Sequence, residues 1–262
     1  MSKLLHNKKI AADYEEFLDQ VRIATNAHLN SAHADPDLKH VFKCTMAAHT
    51  VLRSFALRRC EKLFNAAAGI ARRVAILSIS RQLSLLRVEL RRLIECINWF
   101  VYFADHPLEE ALFLSDPGRV VDDMKDDPIA AGAYGLPAFY RAYMKSVMKR
   151  EPSGIGSKAA SELASAYAEL SMEVHPAYGV ASPSATLALA ADRYDTKLAS
   201  KMRIEAKRVF THAVAAAAAC DPLLLSKLDA IDREWFDWLV GQNWAQIIRG
   251  TEFGLQRSST LL

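Results

Sequence analysis

No stretch of this 262-residue chain approaches the roughly 18 uninterrupted apolar residues that a membrane-spanning helix requires, because Arg and Glu punctuate even its most hydrophobic segment. The opening MSKLLHNKKIAADYEEF is basic but has neither an apolar core nor a small-residue cleavage site, which predicts no secretory signal and a cytoplasmic location. Cys44, Cys60, Cys96 and Cys220 are scattered through apolar helical contexts with no C-x-x-C pair and no histidines at zinc spacing. They read as reduced core thiols. Period-two alternation never lasts, β-branched residues are sparse, and no repeat of about 20 to 50 residues is visible, so sheets and solenoids are excluded. Equally missing are the phosphate-binding loop G-x-x-x-x-G-K-[ST], the dinucleotide fingerprint G-x-G-x-x-G, H-E-x-x-H and the G-x-S-x-G elbow. The Glu-x-x-His pairs of di-iron bundles are absent too. Glu173 and His175 come nearest, but a spacing of two places them about 200° apart on a helix. Neither a metal nor a cofactor is expected.

What is present is helical periodicity. The longest apolar pattern runs from Ser80 to Ala104 and ends at His106-Pro107. One face collects Leu83, Leu86, Leu90, Leu93, Ile94, Ile97, Phe100, Val101 and Ala104, a core stripe. Beside it, Ser84, Arg87, Arg91, Glu95, Asn98 and Tyr102 follow one another at spacings of three or four and form a continuous polar row. Val88, Cys96, Trp99 and Phe103 place apolar groups on the far side, so the helix is expected to have neighbours on most sides and the row to be partly buried. Buried charges need partners. Glu95 has Arg91 four residues and Arg92 three residues before it.

Net charge is only +3, but it is unevenly spread. His49 to Arg92 holds ten Lys or Arg against two Glu, whereas Asp105 to Asp127 holds eight acids against two bases. Either the two segments neutralise each other in the fold, or the stretch from Arg53 to Arg92 is a basic surface for RNA or another polyanion.

A first helix is expected from Lys3 to Asn30, and a second is started by Asp35 as N-cap and Pro36 in the first turn. No proline follows until Pro107, and 69 helical residues would reach about 100 Å, so a break is expected at Gly69 or over Ile76 to Ser80, with Ser80 capping the central helix. Later helices are expected from Pro137, from Ser157 as cap to Val174, from Thr186 to Cys220 with a nick near Asp195, and from Pro222 to Val240. The fold class is all-α: one domain spanning 1–262, a bundle of about seven or eight helices around the Ser80 to Ala104 helix. Residues 105–136 read as an irregular acidic loop holding only short helical pieces, and 241–262 as a partly frayed tail.

Two patterns bear on chemistry. Arg22 and His28 stand in an Arg-x5-His spacing that falls within that of the HEPN ribonucleases, though Ile23 stands where that family usually has a polar residue. Arg92-Leu-Ile-Glu95 on the central helix, followed by Leu170-Ser-Met-Glu-Val-His175-Pro176, resembles a group of bacterial all-helical proteins of unassigned activity, distantly HEPN-like; the resemblance covers Ser80 to Tyr178. In the HEPN ribonucleases the arginine and histidine come from two subunits and cleave RNA without metal, so that likeness implies an association between copies of the chain; the second pattern supplies an Arg/Glu/His cluster with no activity to carry over. From the residues themselves, Arg91 or Arg92 would hold an anion, Glu95 would orient an arginine or accept a proton, and His175, before a proline at a helix C-terminus, would serve as acid or base. Arg87, Asn98, Tyr102 and Ser171 complete a candidate ligand site. Three functions stand open: a helical interaction protein whose polar cluster organises the bundle, a metal-independent ribonuclease or other phosphate-handling enzyme, and a non-catalytic nucleic-acid binder.

Overall fold

The computed structural model describes residues 33–58, 60–80, 82–115, 137–172 and 196–259, together with Asp19 and Asn30. All described elements are helical: α1 (Pro36–Ala56), α2 (Glu61–Ile79), α3 (Leu83–Asp105), α4 (Pro107–Ser115), α5 (Pro137–Met148), α6 (Ile155–Met172), α7 (Thr196–Cys220), a 3-10 helix (Pro222–Lys227), α8 (Ala230–Val240) and α9 (Gln242–Ser259). None of them is long and apolar enough to cross a membrane. The expected Lys3 to Asn30 helix, Arg22, His28 and His175 lie outside the described residues.

α1 starts as its sequence dictates. The Asp35 carboxylate accepts from the backbone N–H groups of Asp37 at 2.7 Å and Leu38 at 3.0 Å, ahead of Pro36. The chain then turns at Leu57 to Cys60, not at Gly69, which stays inside α2. Cys60 adopts φ 50°, a left-handed conformation that a non-glycine residue takes at some cost, so no residue type announces this turn. The second break does fall after Ile79, but Ser80 closes α2 instead of opening α3: its hydroxyl donates back to the Ile76 carbonyl at 2.9 Å, and α3 starts at Leu83 without a side-chain cap. Two later boundaries also move. α6 begins at Ile155 because Glu151 and Ser153 accept from the backbone N–H groups of Gly156 (3.0 Å) and Ile155 (3.1 Å), which leaves Ser157 within the helix. Asp221 starts only the 3-10 turn, and Asp229 caps α8 by accepting from Asp232 N–H at 2.8 Å. The 105–136 segment opens with the short helix α4; its remainder lies outside the described residues. The tail is helical through Ser259, anchored by the buried Ala245 and Ile248.

α1, α2 and α3 fold back on one another around Phe55, Phe64 and Phe100, whose ring centroids lie 5.6 and 4.7 Å apart. α7 then packs against α1, α3 and α6. Its first half is amphipathic, whereas Ala213 to Ala219 are buried on every side. That alanine run makes α7 a second axis beside α3, because small side chains let α1, α3 and α6 approach it closely. At its far end a Cβ on Gly156 would stand 2.6 Å from Met148 Sδ, so a larger residue where α6 enters would have to push the Met148 side chain aside. Burial pushes the Cys44 and Cys96 thiols up to about 11.

Candidate functional site

The polar row of α3 lies along the seam where α3 meets α7, α6 and α5 in turn. At its N-terminal end Arg87 reaches across to Glu205 of α7, donating from Nε to Oε2 at 2.8 Å and from Nη2 to Oε1. This two-pronged pair is largely dry: the side chains are 9% and 19% exposed. One turn on, Arg91 donates from Nε to Glu95 Oε1 at 3.2 Å and to the Tyr167 hydroxyl of α6 at 3.0 Å. The Tyr167 hydroxyl donates in turn to Glu95 Oε1 at 2.9 Å, which closes a triangle. The Tyr167 ring also carries two guanidinium groups, Arg91 at 4.9 Å and Arg141 of α5 at 4.0 Å from its centroid. Burial, with the hydrogen bond to Glu95 next, raises the Tyr167 phenol pKa.

The upper part of the row is aromatic. Asn98 is 1% exposed and its side-chain oxygen has no hydrogen-bond partner. The Tyr102 hydroxyl donates to Glu109 of α4, and its ring stacks on His106 with centroids 4.1 Å apart and packs edge-on against Phe139, Tyr140 and Tyr143. Tyr102 is therefore a core residue of the α3/α4/α5 junction. Tyr143 donates to Asp105 at 2.8 Å, and burial with that bond pushes its phenol up to about 12.

Of the residues expected to act together, the structure joins Arg91 and Glu95 and leaves Arg92 apart. Arg92 is 60% exposed on the other flank and donates to Glu89 at 3.1 Å, a carboxylate it shares with Arg73 at 2.8 Å. Ser171 turns its hydroxyl back onto the Tyr167 carbonyl at 2.7 Å, so it is occupied within its own helix. His175 lies outside the described residues. Tyr167 and Glu205, which do most to close the row, were not singled out by sequence: Tyr167 reads as part of an apolar stripe, and nothing local ties Glu205 to an arginine 118 positions earlier. Among the described residues, carboxylate partners of the basic segment come from α3 itself and from α7.

Chemically, the triangle converges on one carboxylate oxygen, Glu95 Oε1, which receives both Arg91 and Tyr167. Among the described residues no group of His, Cys, Asp and Glu is placed to hold a metal ion. Compared with known proteins, the chain matches no family model, no curated protein and no solved structure.

Proposed function

We propose that the protein is a cytoplasmic helical binding or interaction protein whose Arg/Glu/Tyr row organises the bundle and carries out no reaction. One observation supports this above all. Arg87 and Arg91 each meet a carboxylate, and the Glu205 and Tyr167 contacts tie α3 to α7 and α6.

The test is incubation of the purified protein with RNA and with a mixed metabolite pool, beside Glu95→Gln and His175→Ala variants. The reading predicts that wild type and both variants leave the substrates equally unchanged. Turnover by the wild type, lost in a folded Glu95→Gln variant, would restore the ribonuclease or phosphate-handling reading.

A second reading, non-catalytic binding of RNA or another polyanion, draws on Arg53, Arg58 and Arg72, which are exposed and have no carboxylate partner among the described residues. It predicts binding that falls by orders of magnitude between about 50 and 200 mM salt. Binding that is flat across that range would dismiss it.

A further inference from the structure

A different part of the molecule holds charge that the fold does not neutralise. Where α1, α7 and α8 meet, Lys43 lies 4.3 Å over the Trp238 ring, and His40 packs against the same indole with centroids 5.5 Å apart. Across from them stand Arg203 and Lys207, one turn apart on α7. Arg203 Nε sits 2.8 Å from Asp37 Oδ1 but is too poorly aligned to make a hydrogen bond, and it counts with His40 Nε2 as a buried nitrogen without a partner. Among the described residues Lys43 and Lys207 have no ion pair, so there the three cations face one carboxylate, Asp37, a surplus of two positive charges. The repulsion is felt at His40, whose pKa is lowered first by burial and then by Lys207, Arg203 and Lys43, with only Asp37 opposing.

Arg203 and Lys207 also line an open groove of about 280 Å³, completed by Ile204, Arg208, Thr211 and His212. Its far wall is electrically settled. Arg208 is held by Glu162 and Glu169 of α6 at 3.0 and 2.8 Å, and Thr211 donates to the Leu239 carbonyl at 3.0 Å. His212 Nδ1 lies 2.6 Å from the Arg208 carbonyl oxygen, so Nδ1 carries a proton and donates there. The free charge therefore lies on the Arg203 and Lys207 side alone.

We propose that the Arg203 and Lys207 end of this α7 groove binds a small phosphate monoester, with Lys43 and His40 of the neighbouring α1 beside it. A monoester near its dianion, at about −1.5 to −2, matches the surplus of two charges. A groove of 280 Å³ falls just below the usual range of about 300–1,000 Å³ for larger ligands, which favours a small ester over a nucleotide.

The experiment follows the ring resonances of His40 by NMR while glycerol phosphate is added at constant ionic strength, with sodium chloride as the comparator. The groups facing the ring are Asp37 and Lys43 on α1 and Arg203 and Lys207 on α7, with Trp238 on α8. A saturable shift is expected, together with a rise in the His40 pKa when ester is bound. Lys207→Ala, at an exposed position, should weaken the apparent affinity about tenfold or more, the effect of one lost charge-assisted hydrogen bond. An exposed lysine elsewhere, changed in Lys158→Ala, should leave it unaltered. No shift beyond that of chloride, or an equal affinity in Lys207→Ala, would overturn the proposal. So would a single-stranded RNA oligonucleotide that moves the same resonances at a far lower concentration than the ester.

Discussion

Tyr167 shows how much one hydroxyl can organise. It accepts from Arg91 and donates to Glu95, so Tyr167→Phe leaves the two charged groups in contact but removes the bonds that fix them to α6. The variant is expected to unfold at lower urea, with a loss of about 1 kcal/mol. Histidine provides a second test at this scale. Burial holds His212 below its ordinary value of 6.5, with the bond to the Arg208 carbonyl opposing. The unfolded chain then takes up the proton more readily than the folded one. The stabilising contribution is therefore complete above about pH 6.5 and is lost as pH falls below it. The wild type should lose melting temperature on acidification through that range, and His212→Gln should lose less. Asp35 was fully legible in sequence because a cap acts on its immediate neighbours. Tyr167 was not, because its polar atom serves residues 72 and 76 positions away.

Among the elements, α7 ends at Cys220 as expected, but its packing role was the least legible. Its apolar content is mostly alanine, which gives a weak hydrophobic signal, yet Ala213 to Ala219 are buried without exception. Their value lies in what they allow, the close approach of neighbouring helices, and that depends on where the neighbours are. Leucine-rich α3 was legible as a core helix for the opposite reason: its stripe is large, and Leu86, Leu90, Leu93 and Ile94 are fully buried. The turn at Leu57 to Cys60 could not be read because it uses a strained cysteine where a glycine would have been visible. Overpacking tests the account of α7. Ala216→Leu, at a residue with no exposed surface, should cost about 1–3 kcal/mol in a urea titration. The same change at the exposed Ala168 should fall within about 0.5 kcal/mol of wild type.

For the whole molecule, periodicity and the lack of alternating segments were enough to give an all-α bundle, since both are properties of the chain alone. How the polar row is closed was not, because its closure depends on α6 and α7 arriving from 70 to 120 positions further along. The account treats that row as a lock between helices, and Arg87 with Glu205 is its driest part. Unfolding free energies of Arg87→Met, Glu205→Leu and the double variant test it most directly. Glu205→Leu, which takes this carboxylate away from the buried arginine, should lose about 3–5 kcal/mol, and the double variant should recover most of that loss. A Glu205→Leu protein as stable as wild type, with no coupling between the two positions, would contradict the lock.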